Sequence, residues 1–213
     1  RRLGVDQIDL YLLHRDSPEE PFEPVMDELA DLVKTGKLAA FGVSNWSHAR
    51  LGAARRYCTS RGQPQPVANS PHFSLLQWVK VPWPGCISIA GPAGSLARAY
   101  YTAEQVPVLA WSPLGSGFFS LRNEIAQGTA CQLVYGSEAN RLRRLRVNAL
   151  AARRGVPASA VALAYVLGQP FPSSVIVAAS SVERMAENLR AVDLQLSPDE
   201  MRELDVDDAG VSV

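Results

Sequence analysis

The sequence has little of what would mark a secreted, membrane-bound or nucleic-acid-binding protein. Its 213 residues hold three cysteines, Cys58, Cys86 and Cys131. An odd number at wide spacing fits neither a disulfide framework nor a zinc site, so the cytoplasm is the expected compartment. Neither charge is in surplus, with 21 Lys and Arg against 21 Asp and Glu, which argues against nucleic acid or an anionic membrane as partner and leaves a small molecule as the expected ligand. There is no run of about 18 uninterrupted apolar residues and no signal-peptide core at the start. No G-x-G-x-x-G phosphate loop, clustered metal ligands or nucleophile elbow is present, and no metal is expected. Internal repeats and low-complexity tracts are missing too, and so is an initiating methionine: the chain begins Arg1-Arg2-Leu3, which does not read as a natural start.

What is present is a 47% hydrophobic composition, enough to bury one core, and residues 1–213 read as a single domain. Apolar stretches of strand length near 8–13, 38–43, 66–70, 106–111 and 174–178 alternate with helical patterns. Near-continuous apolar strands between helices predict βα units and a parallel sheet covered on both faces. Val25, Met26, Leu29, Leu32 and Val33 form a helical stripe that Gly36 ends. Residues 139–154 and 158–168 read as helices, and Ser197-Pro198-Asp199-Glu200 is a capping box that starts a closing helix near Pro198. Residues 78–95 and 115–137, rich in turn residues or weakly periodic, read as long loops, which in compact domains usually carry function.

The informative residues stand where these strands stop. His14 follows Ile8–Leu13, Ser44 and Asn45 follow Phe41-Gly42-Val43, Ser70 closes Pro66–Ser70, and Trp111-Ser112-Pro113-Leu114 ends the fourth strand. In a (β/α)8 barrel the reacting groups stand at the carboxyl ends of the strands. An imidazole there can hydrogen-bond and polarise a carbonyl oxygen, short polar side chains can hold an amide, and an indole offers a π face for stacking. Ser180 and Glu183 read as a capping box, whose helix start would face an anion, and Arg184 one turn in offers a planar fork for phosphate. Met185, Leu189 and Val192 read as the buried face of that helix. Plain structural readings stand beside these: His14 as a structural histidine, Ser44 and Asn45 as caps for a helix starting near Ser47, Trp111 as a packing residue, and Asp16 as a solvated loop residue or cap.

In this order and spacing the motifs I-D-L-x-x-x-H, G-V-S-N, W-S-P-L and the Ser180–Asn188 helix resemble the last two thirds of the aldo-keto reductase family. The resemblance implies a TIM (β/α)8 barrel of the NAD(P)-linked oxidoreductase type whose N-terminal βα units are missing from this chain. Five strands in 213 residues leave roughly three units short of the eight that about 250 residues usually supply. It implies His14 as the catalytic histidine, and Ser44 and Asn45 as the grip on the nicotinamide carboxamide. Ser70 stands where the family has a glutamine, and Trp111 where a tyrosine usually stacks on the nicotinamide. Ser112 and Leu114 would lie near the pyrophosphate, Ser180 and Arg184 near the 2′-phosphate, and Glu187 and Asn188 near the adenine. Ala178 replaces a lysine that the family often carries. Arg184 favours NADP over NAD, and the loop with Trp78 and Trp83 would shape the pocket for a small carbonyl substrate. The family's tyrosine acid, with its lysine and aspartate, comes from units before His14, and no segment here matches those motifs. The chain by itself is therefore expected to be inactive, or to serve as a non-catalytic NADP-binding redox sensor of the same fold. Oligomeric state has no signal in the sequence.

Overall fold

The computed structural model describes residues 3–119 and 127–206. Five parallel strands form one sheet in sequence order: β1 (Ile8–Leu13), β2 (Leu38–Ser44), β3 (Asn69–Ser70), β4 (Val108–Trp111) and β5 (Ser173–Ile176). Ile8 pairs with Leu38 and Leu13 with Val43, Val43 with Asn69, Asn69 with Val108, and Val108 through Trp111 with Ser173 through Ile176. This register brings all five carboxyl ends to one rim. The strands follow the sequence expectations, with β3 and β4 starting later and β5 ending earlier. Pro66 lacks an N–H and cannot join a ladder, although Val67 N–H still reaches the Phe41 carbonyl at 2.8 Å.

Helices α1 (Glu23–Lys34), α2 (His48–Ser60), α3 (Ser95–Glu104), α4 (Ala130–Tyr135), α5 (Glu138–Arg154), α6 (Ala158–Leu167), α7 (Val182–Leu189) and α8 (Pro198–Leu204) follow in chain order. α1 buries Met26, Leu29 and Ala30 against β2 and α2. It ends where Gly36 takes φ 74°, with Gly36 N–H on the Val33 carbonyl and Lys37 N–H on that of Leu32, the two bonds of a Schellman closure. α6 is apolar all round and buried from Ser159 to Val166, between β5, α5 and α7, as such a helix must be. The Ser197–Glu200 capping box forms as the sequence indicates. α3 and α4 arise in or beside the two long loops, and residues 120–126 of the second loop lie outside the described residues. Among the described residues no single helix is long and apolar enough to cross a membrane.

One core runs through Phe41, Val43, Val108 and Ala110 of the sheet and Met26, Leu51, Val147, Leu150 and Val161 of the helices. The central strands are largely buried, whereas β1 and β5, each paired on one side among the described residues, leave Leu10, Tyr11 and Ile176 partly exposed. Among the described residues the sheet is thus a parallel α/β arc, open along both outer strands.

Candidate functional site

Two adjoining cavities lie on the rim. The first, about 530 Å³, is walled by Leu12, His14, Arg15, Ser44, Asn45, Ser70, Trp83, Cys86, Trp111, Ser112 and Ile176. The second, about 460 Å³, includes Leu114, Ser116, Gly117, Val177, Ser180, Arg184, Glu187 and Asn188. Trp111, Ser112 and Ile176 belong to both walls, so one cleft runs from His14 to α7.

Asn45 is the hub of the first cavity. It takes φ 61° just beyond β2, a left-handed conformation that asparagine tolerates better than most residues. Its Oδ1 accepts Trp111 Nε1–H at 3.2 Å and Ile87 N–H at 3.3 Å, while its Nδ2 donates to Ser44 Oγ at 3.0 Å and to the His14 carbonyl at 3.5 Å. One buried amide therefore ties β1, β2, β4 and the 78–95 loop together. Ser44 Oγ donates to the Ser70 carbonyl at 2.8 Å, and Ser70 Oγ to the Leu109 carbonyl at 2.7 Å. With their protons engaged, these hydroxyls face the cleft as acceptors. Ser112, at φ 50°, carries a second left-handed turn at the same place. Such backbone costs on the order of 1 kcal/mol and clusters at functional sites.

His14 is exposed at the end of β1. The loop after it is anchored by Asp16, whose largely buried carboxylate pairs with Arg50 Nε at 2.9 Å. Asp16 is therefore a tether and not a solvated residue: Arg50 also donates to the Ser17 and Glu20 carbonyls and lies over the Trp46 ring at 4.8 Å.

Behind Trp111 stands a residue that the motif reading passed over. His72 is fully buried, its Nδ1 is 2.8 Å from Ser88 Oγ and its Nε2 3.1 Å from the Tyr135 hydroxyl. Trp78 lies over it at 4.6 Å and Trp111 at 5.1 Å. Burial pushes its pKa down to about 3, so the ring is neutral. Trp78 packs on His72 and Trp111 and lines neither cavity, while Trp83, 57% exposed and 6.1 Å from Trp111, lines the first. The expected pair of substrate-loop tryptophans thus divides into one support and one wall.

In the second cavity the helix start differs by one residue from the sequence reading. Ser181, not Ser180, caps α7, accepting Arg184 N–H at 3.3 Å, and its hydroxyl also holds the Glu183 carboxyl below the usual carboxylate range. Ser180 lies before the cap, in the cavity wall. The expected buried face is also corrected: Leu189 and Val192 are 59% and 71% exposed, and Asn188 and Ala191 are the residues turned inward. Among the described residues, no tyrosine, lysine or aspartate lines either cavity. Tyr57 pairs with Asp27 on the outer helices, and the hydroxyls of Tyr101 and Tyr135 are buried on Asn69 and His72.

The model of the aldo/keto reductase family matches residues 1–207. The chain belongs to the aldo/keto reductase family. It is 32% identical over 206 residues to an uncharacterized oxidoreductase of Mycobacterium tuberculosis, covering 92% of this chain and 58% of that protein. It is 25% identical over 227 residues to a putative voltage-gated potassium channel subunit beta of Schizosaccharomyces pombe, covering 96% of this chain and 60% of that one. A crystal structure of a thermostable aldo-keto reductase with the inhibitor epalrestat superposes with a TM-score of 0.70 at 25% identity, over 96% of this chain and 61% of the other. The chain thus spans about three fifths of the length of these relatives.

Proposed function

We propose that this chain forms the carbonyl- and cofactor-facing wall of an NADP(H)-dependent oxidoreductase acting between a nicotinamide and a carbonyl or alcohol substrate. One observation carries the reading: the shared wall of Trp111, Ser112 and Ile176 joins the His14 cavity to the Arg184 cavity in one cleft. Its groups suit a dinucleotide. Trp111 offers a planar face, the Ser44 and Ser70 oxygens accept a carboxamide N–H, Arg184 pairs with a 2′-phosphate, and Glu187 and Asn188 take the adenine end. When bound, the nicotinamide gives or takes a hydride at the substrate carbon. Asn45 keeps the indole in place through Nε1–H, His14 donates a hydrogen bond to the carbonyl oxygen, and Trp83 screens that oxygen from water.

Among the described residues no tyrosine or lysine lines the cleft, so the proton would come from a residue beyond these walls. The free edges of β1 and β5 support completion of the sheet by further βα units, and the family's tyrosine, lysine and aspartate on such units would fill this role. A cytoplasmic setting accords with the three free thiols.

The test is tryptophan fluorescence titrated with NADP+ and with NAD+. Saturable quenching with about tenfold preference for NADP+, the worth of one charge-assisted pair, is expected, and no saturable change with either would overturn the reading. A second reading, favoured by the absence of a phenol or ammonium from the described cavity walls, is an NADP-binding redox sensor acting through a partner. Tight NADPH binding by the native protein, with no oxidation of NADPH in the presence of an aldehyde, would select it.

A further inference from the structure

Resting on the proposed reading of the cleft, we propose that Arg15 makes it a site for carbonyl compounds that carry a carboxylate. Arg15 directly follows His14 and lines the same cavity. No carboxylate among the described residues pairs with it; its Nη1 lies 2.7 Å from Cys86 Sγ, a weak acceptor. The adjacent acid, Asp16, is already held by Arg50. Among the described residues no aspartate or glutamate lines this cavity, whose other members besides His14 and the Cys86 thiol are apolar, aromatic, hydroxyl or amide groups. The cavity therefore holds a guanidinium with unspent hydrogen-bonding capacity and no carboxylate beside it.

The mounting of this group makes it a recognition element. The Asp16–Arg50 pair and the Arg50 bonds to Ser17 and Glu20 fix the segment that carries Arg15. Cys86 sits beside Ile87, whose N–H is bound to Asn45. Guanidinium, imidazole and the Trp111 ring thus share one wall, and a ligand with its carbonyl oxygen on His14 would present a nearby carboxylate to Arg15. A planar fork matches two carboxylate oxygens. As Arg15 is the lone guanidinium or ammonium lining this cavity among the described residues, a singly charged carboxylate suits it better than a doubly charged phosphate. The ligand class is a short aldehyde or keto acid.

The experiment is equilibrium binding to the chain, read by quenching of Trp83 and Trp111, with 4-carboxybenzaldehyde, benzaldehyde and 4-formylphenyl phosphate as probes. The carboxylate should bind about tenfold tighter than the neutral aldehyde. Arg15→Leu should abolish that preference and leave benzaldehyde unchanged, while Arg15→Lys should keep part of it. Equal affinities in the wild type, an undiminished preference in Arg15→Leu, or tighter binding of the phosphate would each overturn the assignment. Retained thermal unfolding of Arg15→Leu confirms that the loss is local, and if that variant unfolds, Arg15→Gln replaces it. NADP+ titrated separately keeps the two readings apart: carboxylate selectivity without NADP+ binding sinks the cofactor assignment alone, and NADP+ binding without the selectivity sinks this one.

Discussion

The wall around Asn45 and the wall formed by α7 belong to one cleft but are made by opposite means. Around Asn45 the polar groups are buried and bonded to one another: Ser44, Asn45 and Ser70 are each less than a tenth exposed and reach four strands and a loop. α7 is eight residues long, held mainly through Asn188 and Ala191, with Ser180, Arg184 and Glu187 open to solvent. Buried, mutually bonded groups fix geometry before a ligand arrives, which lowers the cost of binding it in one orientation. Exposed charges on a short helix add attraction that salt weakens. If a dinucleotide binds as proposed, the first wall would meet the end where chemistry occurs and the second the end that only has to be held.

The largest effect should follow from undermining the first wall. His72→Ala would empty a fully buried site and strip Ser88 and Tyr135 of a partner, for a loss of about 3 kcal/mol. Denaturant unfolding measures it; a loss under about 1 kcal/mol would mean that the histidine does not brace Trp111. The same ring sets an acid limit. Its folded pKa of about 3 lies below the ordinary value of 6.5, so the unfolded chain takes up the proton first. The contribution of the neutral ring is complete above about pH 6.5 and is lost as the pH falls from there towards about 3, at up to ~1.4 kcal/mol per pH unit. His72→Phe, compared with wild type across that window, should flatten the slope.

A smaller effect is expected within the same wall from Trp111→Phe. The ring face remains but Asn45 Oδ1 loses one of its two donors, for about 1 kcal/mol of stability, with NADP+ affinity falling only a few-fold. Trp111→Ala removes the face as well, and its NADP+ affinity should fall at least about tenfold, in line with stacking worth over 1 kcal/mol. Equal NADP+ dissociation constants for the two variants would show that the face contributes nothing.

These two walls were also unequally legible in the sequence. Strand ends are local signals: Ile8–Leu13 and Leu38–Ser44 announce themselves by apolar content, and the polar residues after them fall on the rim whatever the loops do. His72 carried no such signal, because its partners Ser88 and Tyr135 lie 16 and 63 residues away, and nothing local brings them together. Arg15 and Cys86, 71 residues apart, were hidden for the same reason. On α7 the period placed Met185, Leu189 and Val192 on a buried face, but Met185 is only half-buried, Leu189 and Val192 are exposed, and Val192 lies past the helix end, because a period tells which residues can share a side and not which side is covered. The choice of Ser180 over Ser181 as cap failed because two adjacent serines offer the same chemistry, and only the backbone decides which one precedes the first helical residue.

At the second wall, Arg184→Gln should weaken NADP+ about tenfold and leave NAD+ unchanged. Raising the salt should narrow the gap between wild type and variant, because an exposed guanidinium is screened. A variant that loses both cofactors equally would make Arg184 a support of the helix and not a reader of phosphate.

The smallest effect tests the outer side of α7. Val182, Leu189 and Val192 are 81%, 59% and 71% exposed, so in this chain they have little to lose, and Leu189→Ser or Val192→Ser should shift stability by less than about 0.5 kcal/mol. Val182 and Leu189 on this short helix and Val192 just after it, three apolar side chains left open, make a poor surface for water. If further βα units close the sheet beyond β5, a neighbouring helix would cover this side, and the same substitutions would then cost more than 1 kcal/mol each by the usual worth of a buried aliphatic group. Measuring Leu189→Ser by denaturant unfolding in the chain and again in the native protein separates the cases: a small effect in both leaves α7 an outer helix, and a large effect in the native protein alone makes it an inner one.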